Sequence, residues 1–162
     1  GCTSGTVAVG YDVITKKINL AKPEAKVTTP ITSAIKALKV LGINKISIFT
    51  PYTKTINDSV VGYFKKENII VNSLTYFNID SDLDIGKIDE NYLFEVLSKI
   101  DLEDSDALFV SCTALPVLSI IDKLEKKLNK VILSSNQTLI WDSLNEIDYK
   151  EKIDGFGKLF NS

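Results

Sequence analysis

The chain has 162 residues, 44% of them apolar, enough for one ordinary domain or two small lobes around a hydrophobic core. Its 19 lysines and arginines are interspersed with 21 aspartates and glutamates for a formal charge of −2, so no broad field recommends nucleic acid or an anionic membrane as partner. Histidine is absent and no CxxC pair occurs, which removes serine–histidine triads, cysteine–histidine hydrolases and most zinc sites.

From the amino terminus, GCTSGT forms a polar turn, VAVGYDVITKKIN has helical periodicity, AKVTTP reads as a short strand and TSAIKALKVLG as a helix ended by Gly42. Strand and helix then alternate. KISIFTP is a strand, and TKTINDSVVGYFKKEN an amphipathic helix with Ile56, Val60, Val61 and Phe64 on one face. IIVNSLTYF follows as a strand, ENYLFEVLSKI as a helix, ALFVSC as a strand, LSIIDKLEKKLN as a helix, KVILSS as a strand and QTLIWDSLNEI as a helix. This alternation predicts an α/β fold of parallel sheets flanked by helices, because parallel crossovers require them.

No strand leads into Gly1 and Cys2, and the chain contains no methionine. The expected organisation is therefore two similar lobes with the first truncated at its amino end. Residues 1–43 are the remainder of the first lobe, 44–145 the second lobe, and 146–162 a segment returning to the first. No apolar run approaches the roughly 20 residues needed to span a bilayer, and GCTSGTVAVG lacks the regions of a signal peptide, so a soluble, cytoplasmic protein with free thiols is expected.

Cys2 opens a small-residue turn before a helix, while Cys112 ends an apolar strand and precedes another; each is followed by threonine. A helix amino terminus at the carboxyl end of a parallel strand stabilises anions and lowers a thiol's pKa. Cys112 is accordingly expected to be partly exposed, with a lowered pKa. Thr3, Ser4, Thr113 and Ala114 would offer hydroxyls or amides to a carboxylate. The competing reading makes Cys112 a small buried hydrophobe.

GCTSGT, VTTPITSAIKALKVLG, ISIFTPYTKTIN, FVSCTALP and SSNQTLIWD, in this order over nearly the whole chain, resemble the aspartate/glutamate racemase superfamily, and within it the branch of maleate cis–trans isomerases, arylmalonate decarboxylases and ectoine-utilisation proteins. The resemblance implies two α/β lobes, each giving one cysteine to a shared cleft, with no metal or organic cofactor. It makes Cys2 and Cys112 catalytic and Tyr52 a contact to substrate carboxylate. It also places Thr3, Ser4, Thr113 and Ala114 in carboxylate-holding turns. Asp82 falls where maleate isomerases carry asparagine, and its charge would repel a second carboxylate. Trp141 reads as core, and Asn136 and Gln137 as cleft or capping residues. The implied activity is isomerisation of a small carboxylate, most closely maleate to fumarate. An aspartate- or glutamate-type racemase and a non-catalytic carboxylate binder are the alternatives, and decarboxylation needs only one of the two cysteines. A homo-oligomer is compatible with all of these.

Overall fold

The computed structural model describes residues 1–149 and 151–161. Its centre is a four-stranded sheet of β1 (Lys45–Thr50), β2 (Ile70–Tyr76), β3 (Ala107–Val110) and β4 (Val131–Ser134), in the order β2-β1-β3-β4 with every pairing parallel. The continuously apolar ALFV run is β3, whose four residues are all buried between β1 and β4. Strand order reverses direction between β1 and β3. In an open parallel sheet, the crevice beyond the carboxyl ends of such a pair is where ligands bind.

Helices cover the sheet. They are α1 (Thr3–Val9), α2 (Tyr11–Ala21), α3 (Pro30–Val40), α4 (Lys54–Lys66), α5 (Asp82–Ile85), α6 (Glu90–Leu97), α7 (Ile121–Leu128) and α8 (Ser135–Glu146). Except for α2, none of whose residues is buried, their inner faces contribute to one core, where Val60 and Phe64 of α4 are fully buried and the Phe64 ring meets Phe109 edge-on at 5.1 Å. Helix α3 packs along α8, held by Asp142, which accepts from Ser33 Oγ at 2.7 Å and Lys36 Nζ at 2.9 Å. Gly42 ends α3 as its position predicts: its φ is +67°, and the paired bonds Gly42 N–H to Lys39 and Ile43 N–H to Leu38 close the helix.

Two expectations for the first 44 residues are corrected. AKVTTP is irregular rather than a strand, and Thr29 leads directly into α3 with Pro30 in its first turn. No strand of the described residues lies beside it to share a ladder, and an unpaired strand leaves its backbone groups unsatisfied. VAVGYDVITKKIN is two helices, because Gly10 takes φ +91° between α1 and α2, a conformation available to glycine at little cost. The short α5 was not distinguished in the sequence. Residues 151–161 run over α7 and α8: Gln137 Nε2 donates to Phe156 O at 2.6 Å, Glu125 accepts from Lys158 N–H at 2.8 Å, and Leu159 is buried. Trp141 is half-buried against the core. No helix among the described residues is long and apolar enough to cross a membrane.

Candidate active site

The switch point carries a phenol and a thiol. Beyond β1, Pro51 and Tyr52 form a turn whose shape is set by two buried polar side chains. Thr50 Oγ1 donates to Asn57 Oδ1 and accepts from Tyr52 N–H at 3.2 Å, while Asn57 Nδ2 donates to Tyr52 O at 3.1 Å. The Tyr52 ring is thereby folded inward, and its hydroxyl accepts from Ser111 Oγ at 3.4 Å. Burial pushes the phenol well above its ordinary pKa, and negative charge on Cys112 or Cys2 adds to the effect. At neutral pH it is un-ionised, and its bond to Ser111 holds it beside the residue that precedes Cys112.

Cys112 follows β3 with φ +100°, a region that non-glycine residues occupy at a cost of about 1–3 kcal/mol and that concentrates at functional sites. Its N–H donates to Ser135 Oγ at 3.0 Å, and its sulfur accepts from Ala114 N–H at 3.4 Å. The expected exposed, acidified thiol is corrected on both counts. Only 5% of Cys112 is exposed, and burial raises its pKa, an effect that the Ala114 amide and the Tyr52 hydroxyl oppose and the Asp82 charge reinforces. The reason is local. Residues 113–117 intervene before the helical turn Leu118–Ile120 and α7, so the sulfur meets individual N–H groups rather than a helix amino terminus.

Cys2 is exposed and is the N-cap of α1, with its sulfur accepting from Gly5 N–H at 3.3 Å and lying 3.3 Å from Ser4 Oγ. A Cβ at Gly5 would stand 3.3 Å from that sulfur, a tight contact that would push the sulfur aside by a few tenths of an ångström. Two bonds bring the cysteine turns together across the chain: Thr113 Oγ1 donates to Gly1 O at 2.9 Å, and Thr3 Oγ1 lies 2.8 Å from Ser135 Oγ. Asn136 Nδ2 braces the same turn through Thr113 O at 3.0 Å.

Of the expected residues, Tyr52, Thr113 and Ala114 gather around Cys112, and Ser4 stays with Cys2. Thr3 differs: it is fully buried, and its hydroxyl is committed to Ser135 rather than open to a carboxylate. Asp82 is exposed in the first turn of α5, close enough for its charge to act on Cys112. Sequence reasoning missed Ser111, Ser135, Thr50 and Asn57. Ser111 was adjacent to a noted cysteine, but nothing in the sequence joins Ser135 to Thr3.

A parallel α/β sheet with a thiol and a phenol at its switch point, and a second cysteine turn tied to the same edge, is an arrangement of the doubly wound class of α/β folds. The chain belongs to the arylmalonate decarboxylase family, whose signature matches residues 14–160, within the maleate isomerase and arylmalonate decarboxylase branch of the aspartate/glutamate racemase superfamily. Maleate isomerase from Geobacillus stearothermophilus is 26% identical over 138 residues, covering 85% of this chain and 55% of its own length. The chain thus spans about half the length of the curated relatives it matches. The fold is shared with the maleate-bound cysteine-to-alanine variant of the Pseudomonas putida S16 maleate isomerase, with a TM-score of 0.92 at 21% identity over 99% of this chain and 67% of that one. It is shared too with a Nocardia farcinica maleate cis–trans isomerase variant holding a covalent succinylcysteine intermediate, at TM-score 0.90 and 18% identity over 98% and 68% of the two chains.

Proposed function

We propose that the chain carries the two-cysteine centre of a cofactor-independent isomerase acting on a small carboxylate, of the maleate cis–trans type. The observation that carries this reading is the joining of the two cysteine turns, by Thr113 to Gly1 and by Thr3 to Ser135, with the buried Tyr52 phenol bonded to Ser111 beside Cys112. The unequal surroundings of the thiols divide the work. Cys2 is open to a ligand and has a backbone N–H on its sulfur, which suits a nucleophile. Cys112, raised by burial, is held as a thiol that can give a proton.

In this scheme the Cys2 thiolate forms a carbon–sulfur bond to one alkene carbon, and the π pair passes to the neighbouring carbon, which takes the Cys112 proton. Rotation about the new single bond follows. Return of a proton to Cys112 and cleavage of the carbon–sulfur bond release the trans alkene. Tyr52, Ser4, Thr113 and the Ala114 amide supply donors for the carboxylates, while Asp82 disfavours a second carboxylate on its side. We also assign residues 1–43 to a first lobe, 44–145 to a second and 146–162 to a closing segment, in a cytoplasmic protein able to self-associate. Two-face proton transfer by the same thiols would instead racemise an acidic amino acid. Asp82 and the burial of Cys112 favour the other rival, a carboxylate binder without turnover.

Proton magnetic resonance of maleate, aspartate and glutamate incubated with a longer form that restores the residues upstream of Gly1 separates these readings, the 162-residue chain alone being expected to fall short of full activity. Conversion of maleate to fumarate is expected, and it is expected to vanish in Cys2→Ser and in Cys112→Ser with circular dichroism unchanged. Saturable maleate binding without turnover would establish the binder, and loss at only one cysteine would point to one-thiol chemistry.

A further inference from the structure

Ser135 lies where the two cysteine turns meet. It is fully buried, and its hydroxyl is engaged by groups 132 and 23 residues away in sequence, the Thr3 hydroxyl and the Cys112 N–H. Helix capping does not account for it. The amino end of α8 is closed by Ser134 and Gln137, whose side chains satisfy each other's backbone amides in a capping box. Ser135 Oγ is left for the long-range contacts alone.

We infer that Ser135 is the positioning residue of the two-thiol centre, its one hydroxyl fixing the turn of Cys2 against the turn of Cys112. This rests on the reading that both thiols serve one centre. A hydroxyl has one proton and two acceptor lone pairs, so it can accept the Cys112 amide and still exchange a bond with Thr3. Cys112 needs that acceptor. At φ +100° its amide is buried, and losing the partner leaves an orphaned N–H and removes what holds the unusual backbone. A relaxed turn would swing the sulfur from the Ala114 amide and from Tyr52. On the other side, Thr3 directly follows Cys2, so its anchorage to Ser135 sets where the second sulfur enters. The Thr113 bond to Gly1 also spans the seam, but at an exposed rim where water can replace it.

The test uses a short bifunctional alkylating reagent that bridges Cys2 to Cys112, compared with a monofunctional reagent that reports each thiol singly by peptide mass. In wild type, bridging within one chain is expected. In Ser135→Ala it should slow by roughly tenfold or more, with loss of maleate turnover approaching the ~100-fold that an ångström of misplacement costs, carried in kcat rather than KM. Thr3→Val should lose bridging while single alkylation of both thiols keeps its rate, and Thr3→Ser should restore it. A residue that only stabilised the fold would lower the melting temperature without this separation. If Ser135→Ala does not fold, the Thr3 pair decides. Wild-type bridging rates in Ser135→Ala and Thr3→Val, or no bridging in wild type, would overturn the assignment. The expected bridging pattern without maleate turnover would remove the isomerase reading and support the positioning role.

Discussion

Replacing Tyr52 with phenylalanine removes one oxygen from the wall between the cysteines and leaves the buried ring in place. In the wild type that hydroxyl lowers the Cys112 thiol against burial and the Asp82 charge, so its removal pushes the thiol further up and reduces thiolate at neutral pH. A hydrogen bond to a charged group contributes about 1.5–3 kcal/mol, and each 1.4 kcal/mol is tenfold, so Cys112 alkylation at neutral pH should slow by roughly 10- to 100-fold. Iodoacetamide labelling across pH, resolved by peptide mass, reads this directly, and the Cys112 midpoint should move to higher pH. Cys2, for which the phenol is a more distant neighbour, should change much less. An unchanged Cys112 midpoint and rate would show that the phenol does not act on the sulfur, and the role given to Tyr52 beside Cys112 would fall.

Gly5→Ala puts a methyl group 3.3 Å from Cys2 Cβ and Sγ, so turnover should drop through displacement of the sulfur while thermal stability, helped by alanine's better helix propensity, does not. Activity and melting measured on the same sample check both halves. Asp142→Ala strands the buried Ser33 hydroxyl and leaves Lys36 with Glu146 alone, and should cost about 1–3 kcal/mol in urea unfolding. Glu125 is raised by burial, despite the amides of Ile132 and Lys158. A carboxyl raised on folding contributes stability that is complete below its unfolded pKa and lost as pH rises through the folded one. Wild-type stability should therefore fall over that interval relative to Glu125→Gln, as urea titrations at successive pH values would show.

The sheet was legible because β-branched runs and helical periods alternate from Lys45 onward, and local pattern suffices when every crossover is a helix. AKVTTP shows the limit of that reasoning. Its composition suits a strand, but strand formation depends on a neighbour that no local pattern supplies. At the site, strand-end position located Cys112, since the carboxyl edge of a parallel sheet follows from sequence order, whereas Tyr52 was singled out by the family resemblance alone. The ionisation of Cys112 was not legible, because five residues of turn separate it from the next helical turn and burial then outweighs the nearby amides. Ser135 carried no signal in SSNQ, where only Asn136 and Gln137 read as cleft or capping residues, because its partners Thr3 and Cys112 are distant in sequence.

The bond between Thr3 and Ser135 closes a loop of 132 residues, and that between Gly1 and Thr113 one of 112. Contacts this distant in sequence are slow to form, because the chain must lose the entropy of closure before they stabilise anything. During synthesis, β1, β2 and their helices can assemble as they emerge, and α1 can pack on α3 and α4, but the Cys2 turn cannot bond to Ser135 until α8 has left the ribosome. Until then the turn of Cys2 lacks the anchor that holds it beside that of Cys112, so the two cysteine turns are joined only when α8 docks.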